Sequence, residues 1–83
     1  MYYVYIIYSA TTDKYYVGSC QDLDRRLLEH NTGRSTYTKT GAPWDLKWHS
    51  TFDTRSLAVR EERRIKAKKS RKFIEYLIHG QAD

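Results

Sequence analysis

The residue pattern predicts an α+β fold in the order β-β-α-β-α-α, a small three-stranded, mainly antiparallel sheet flanked by helices in an α/β/α layering. Three observations predict it. Tyr2–Ser9 and Tyr15–Ser19 are short runs rich in Tyr, Val and Ile, which suit a pleated surface. Both runs are apolar on alternate positions of both parities, so this sheet needs cover on two faces. Elsewhere apolar residues recur at helical spacing behind capping residues.

Each element follows in turn. The small, polar stretch Ala10–Lys14 joins the two runs as a β-hairpin. If Tyr5 stands opposite Tyr16, the turn falls at Ala10–Thr11 and both phenols share a face. Asp22 can cap a helix to about Asn31, with Gly33 ending it and Leu23, Leu27 and, at its margin, Leu28 as its stripe. Arg34–Asp45, with Gly41 and Pro43, reads as a loop. Leu46, Trp48, Ser50 and Phe52 alternate with polar residues, as a third strand does. Asp53 or Thr54 then caps a helix through about Lys69. Ser70 caps a last helix carrying Phe73, Ile74, Leu77 and Ile78, with Gly80 after it.

Composition narrows the function classes. At 83 residues there is room for one domain over 1–83 and one modest core. Eight tyrosines argue against a disordered tail. The net charge is +5, yet Arg60–Lys72 alone holds eight basic and two acidic side chains, +6, leaving −1 for the rest. Such a local concentration suits a polyanion-facing surface or a solvated helix face. Cys20 is the only cysteine, which excludes an intrachain disulfide and a cysteine-based zinc cluster. It suits a reducing cytoplasm, as a half-buried residue at a strand end or as a nucleophile. Met1–Ala10 is apolar but too short for a membrane span and has no preceding positive charge. The expected location is the cytoplasm.

Polar groups on faces that should be apolar point to chemistry. Ala58, Glu62 and Ile65 fall at i, i+4 and i+7, so Glu62 sits in the inward stripe of its helix. A carboxylate there needs a cation such as Arg26, or a metal. Arg26 and His30, four apart, flank the Leu23–Leu27 stripe on one side. Arginine offers a planar fork to phosphate, whereas histidine moves protons, binds metal or packs as a hydrogen-bonded ring. Gly18 lies two residues past Tyr16 on the same strand face, and an in-strand glycine marks close approach of a ligand or another backbone. His49 and His79 have no partners at metal-ligand spacing.

Tyr3-Val4-Tyr5, then Tyr16-Val17-Gly18 with eleven residues from Tyr5 to Tyr16, resembles the paired motifs of the GIY-YIG nucleases. Arg26 stands eight after Gly18 and His30 four further on, as that family's pattern asks. Glu62 falls in the later helix where the family carries its metal-binding glutamate. The likeness spans Tyr3 to about Ile78. With the stretch Tyr37-Thr38-Lys39 to Trp44, it is most similar to the small stand-alone bacterial members. The first motif reads Tyr-Val-Tyr in place of Gly-Ile-Tyr, and Ser19 follows the second where excision-repair members have lysine.

The resemblance implies an endonuclease that hydrolyses phosphodiester bonds, in DNA above all, with one Mg²⁺ or Mn²⁺ ion held by Glu62. It implies Tyr16 as general base and Arg26 as the cation facing the transition state. Tyr5 and His30 would orient the water and Tyr16, or His30 would itself be the base. A free phenol titrates at about 10, so such a base needs cations nearby. Arg60, Arg63, Arg64, Lys66, Lys68, Lys69, Arg71 and Lys72, with Lys39 from the loop, would grip the nucleic-acid backbone without reading sequence. The alternative is a binding module on the same scaffold with weak turnover.

Overall fold

The computed structural model describes residues 1–80, and in it strand β1 (Tyr2–Ser9) lies between β2 (Lys14–Cys20) and β3 (Trp44–Phe52). Both pairings are antiparallel. The central position explains the two-sided apolar run. Val4, Ile6 and Ile7 are wholly buried, and each such side chain contributes about 1.5–3 kcal/mol.

Helix α1 (Leu23–Asn31) covers one face, where Leu23 and Leu27 pack on Tyr5, Ile7 and Trp44. Helices α2 (Arg55–Ala67) and α3 (Arg71–Ile78) cover the other, bringing Ala58, Ile65 and Leu77 to Val4, Ile6 and Val17. The α/β/α layering follows the sequence pattern, with a wholly antiparallel sheet.

Local chemistry sets the helix starts. The side chains of Asp22, Thr54 and Ser70 accept from the backbone N–H groups of Arg25, Leu57 and Phe73. Each such cap is worth about 1 kcal/mol. Gly33 (φ 80°) follows α1 and Gly80 (φ 79°) follows α3, as expected. Helix α2 ends at Ala67, short of the expected Lys69. Lys69 has φ 48°, a left-handed conformation that reverses the chain toward Ser70 and cannot prolong the helix.

Two pairings differ from the sequence expectation. Tyr5 stands opposite Gly18, and Tyr16 opposite Ile7. The loop is longer than the expected turn because Asp13 takes φ 55° and Ser9 Oγ accepts from the Thr12 N–H. Tyr8 and Arg71 both donate to the Asp13 carboxylate and hold that loop. The slip is two residues, so Tyr5 and Tyr16 still share a face.

In β3, a register shift between Ile6 and Ile7 pairs Ile6 with Trp48 but Ile7 with Leu46. Lys47 is the extra residue of this bulge. Leu46 therefore leaves the face of Trp48 and turns to the α1 side, beside Tyr3, Leu23 and His49.

Candidate active site

Gly18 makes the first element of the site possible. A Cβ there would collide with the Tyr5 hydroxyl and come within 3.1 Å of the Tyr16 ring. With no side chain at Gly18, the two phenol rings lie 6.5 Å apart across it. Tyr5 is 1% exposed, whereas Tyr16 is half-buried. Only the second phenol is open to a ligand.

His30 is wholly buried beneath them. Its Nε2 is 2.8 Å from the Tyr5 hydroxyl and its Nδ1 is 2.6 Å from Thr38 Oγ1. The Tyr16 ring packs edge-on against the imidazole at 5.2 Å. Burial, aided by the nearby Arg26 charge, lowers the His30 pKa to about 4, so the ring is neutral at pH 7. Burial likewise pushes the Tyr5 phenol well above its ordinary range, although the neighbouring Arg26 guanidinium pulls the other way. Neither group changes charge near neutrality. Together with Thr38 they form a hydrogen-bonded frame.

Arg26 leans over the edge of this frame. Its Nη1 donates to Glu29 Oε1 at 2.9 Å, and Arg25 reaches the same carboxylate. That pairing, with Tyr5 beside it, raises the Arg26 pKa further. The ion pair between Arg26 and Glu62 that the inward stripe allowed is not formed.

Glu62 meets different partners. Ser19 Oγ donates to its Oε1 and Lys66 Nζ to its Oε2, both at 2.6 Å. Its side chain is 18% exposed, which places it at the rim of the apolar stripe. Ser19 and Gly18 are neighbours on β2 and face opposite sides of the sheet. Glu62 thus approaches the outer edge of β2 from the α2 side while Tyr16 occupies the α1 side. Lys66 spans that edge, its Nζ 5.7 Å from the centre of the Tyr16 ring.

The structure therefore brings Tyr5, Tyr16, Arg26 and His30 together and sets Glu62 around the strand edge. A depression of about 810 Å³ lies elsewhere, between Asp22, Leu46 and His49, and shares none of these five side chains. His49 and His79 are both exposed and apart from the site. Cys20 is half-buried at the end of β2, and burial raises its thiol pKa.

Sequence reasoning left several partners unassigned. Thr38, 1% exposed, fixes His30 and accepts the Trp44 indole N–H through its carbonyl. Asn31 grips Trp44 by both its backbone N–H and its carbonyl. A lone Thr or Asn beside a polar loop carries no periodic signal, so only the folded chain shows these roles. The basic run also divides. Arg64 pairs with Glu61 and lies over Phe73, as does Lys68, while Arg71 holds Asp13 and Glu75. Arg60, Arg63, Lys69 and Lys72 are exposed, as is Lys39 beside Thr38.

A hard divalent cation suits Glu62. Mg²⁺ commonly takes one or two carboxylates and keeps the rest of its shell for water and phosphate. Among the described residues no group of three His, Cys, Asp or Glu side chains converges, so most of such an ion's shell would be water and phosphate.

A sequence profile of the GIY-YIG catalytic domain matches residues 1–74. A UPF0213 protein of Staphylococcus saprophyticus is 31% identical over 80 residues, covering 95% of this chain and 96% of that protein. One of Halobacterium salinarum is 40% identical over 67 residues, covering 80% and 86%. The solution NMR structure of a UPF0213 protein from Bacillus halodurans superposes with a TM-score of 0.61 at 31% identity, covering 98% of this chain and 86% of that one.

Proposed function

Since this chain belongs to the GIY-YIG family, a nuclease-type family, we propose that it is a metal-dependent endonuclease that hydrolyses phosphodiester bonds in DNA. One observation carries the reading. Strand β2 presents Tyr16 to one side and, three residues on, Ser19 with Glu62 to the other, and Lys66 reaches both. A proton acceptor and a cation-binding carboxylate thereby flank one strand edge.

Glu62 holds the Mg²⁺ or Mn²⁺ ion in this reading, and Ser19 orients its carboxylate. When bound, the ion supplies Lewis-acid polarisation of the phosphate and charge for the leaving oxygen. Tyr16 takes the proton of the attacking water. Its ring is braced by His30, which is itself fixed by Tyr5 and Thr38, so we assign His30 and Tyr5 to positioning. Arg26, held by Glu29, turns its charge toward the negative transition state. Lys66, its Nζ 5.7 Å from the centre of the Tyr16 ring, adds to that field. We read residues 1–83 as one domain acting in the cytoplasm, where its single thiol stays reduced.

The test is a cleavage panel of duplex, single-stranded and branched DNA with Mg²⁺ or Mn²⁺. Cutting should fall by about 10²–10⁴ in Tyr16→Phe and be lost in Glu62→Gln, with binding retained in both. Unchanged cutting in both variants would overturn the assignment.

A second reading has its own support. Both Glu62 oxygens already have partners, and among the described residues no group of three metal-ligating side chains converges. This favours a nucleic-acid-binding module on the same scaffold. Tight binding with no cleavage of any substrate in the panel would select it.

A further inference from the structure

The basic run of α2 is not one surface, and its division singles out a groove. Arg55, Val59 and Arg63 recur at i, i+4 and i+8, so they line one side of the helix. Glu62 and Lys66, at i+7 and i+11, lie along the same side. An open groove of about 500 Å³ runs there, lined by Arg55, Ser56, Val59, Arg60 and Arg63. Among the described residues none of these three arginines pairs with a carboxylate. Arg64, Lys66 and Arg71, by contrast, all do. Arg55 also lines a small recess with Tyr2, Cys20 and Ser19, the residue that donates to Glu62. Arg55 stacks over the Tyr2 ring at 5.5 Å, which orients its guanidinium at that recess.

We propose that this groove, Arg55–Arg60–Arg63, carries the phosphate backbone of the nucleic-acid strand that leads to Glu62. Three unpaired guanidinium forks suit phosphate oxygens, which they bind two at a time. Arg55 to Arg63 spans roughly 12 Å of helix, from the rise of about 1.5 Å per residue. That is several nucleotides of one strand at about 3.4 Å each. Val59 is the groove's only apolar side chain, so it offers no anchor for a protein partner. The direction of the strand toward Glu62 rests on the nuclease reading; the groove's affinity for phosphate does not.

The experiment measures binding of a labelled duplex and a labelled single strand in EDTA, across a salt series. The variants are the triple Arg55→Gln, Arg60→Gln, Arg63→Gln and a control triple with the same charge loss, Lys14→Gln, Arg34→Gln, Lys47→Gln. The groove triple should lose at least about tenfold in affinity. Its slope of log affinity against log salt should fall by about 2–3, from roughly 0.7–0.9 per phosphate contact. The control triple should stay within about threefold of wild type. Arginine-to-lysine replacement at the three groove positions should restore most of the slope, which separates lost charge from lost fold. Equal losses in the two glutamine triples, or no binding by the wild type, would overturn the groove. Cleavage is scored separately with wild type and metal. Groove-dependent binding without cutting sinks the nuclease reading alone, and cutting with groove-independent binding sinks the groove alone.

Discussion

The Tyr5 hydroxyl lies 2.8 Å from His30 Nε2, and neither residue is more than 1% exposed. Because His30 titrates at about 4 when folded and at about 6.5 otherwise, it links stability to pH. Above about pH 6.5 the ring is neutral in both states and its contribution is complete. As pH falls toward 4 the unfolded chain takes up a proton that the folded chain refuses, so stability drops, by about 3 kcal/mol in all. Urea unfolding at several pH values should show this slope. In His30→Gln the slope between pH 6.5 and 4 should be shallower by about one proton. Identical slopes in the two proteins would refute the link.

Gly18→Ala tests the close approach under the two phenols. The added methyl would meet the Tyr5 hydroxyl and, behind it, the ring carbon Cζ at 2.6 Å. Tyr5 is enclosed and has nowhere to move, so the change should cost about 1–3 kcal/mol in chemical denaturation. Adding Tyr5→Phe should recover only part of this, since the ring remains. A Gly18→Ala protein as stable as wild type would show that the strand can shift.

Lys66→Met tests the competition for Glu62. The ammonium occupies Oε2 at 2.6 Å, in a pair that is half-exposed on the lysine side. Such a pair is worth about 0.2–1 kcal/mol. Its removal should tighten Mn²⁺ binding by up to about fivefold in calorimetry, and Glu62→Gln should abolish the specific site. Weaker Mn²⁺ binding in Lys66→Met would mean that the lysine supports the ion.

Asn31→Ala tests the clamp that joins α1 to β3. Its amide satisfies both the N–H and the carbonyl of Trp44, a residue only 7% exposed. Leaving these groups unpaired should cost about 1–3 kcal/mol. The Trp44 indole N–H, now bonded to the Thr38 carbonyl at 2.7 Å, should shift in NMR spectra. An unmoved indole signal and unchanged stability would show that water replaces the amide.

What the sequence determined by itself was what depends on neighbours along the chain. The caps at Asp22 and Ser70, a cap at Asp53 or Thr54, the two-sided burial of β1, and the shared side of Arg26 and His30 all follow from local chemistry and from helix and strand periods. The common face of Tyr5 and Tyr16 survived even the register slip, because a shift of two residues preserves strand parity. Tertiary structure alone decided the rest. The hairpin register hangs on the left-handed Asp13, the facing of Leu46 on a bulge, and the site's partners on contacts between residues 25 apart (Tyr5 and His30) or 43 apart (Ser19 and Glu62). Such pairings are chosen by how whole elements pack, and no periodicity within a single segment encodes them.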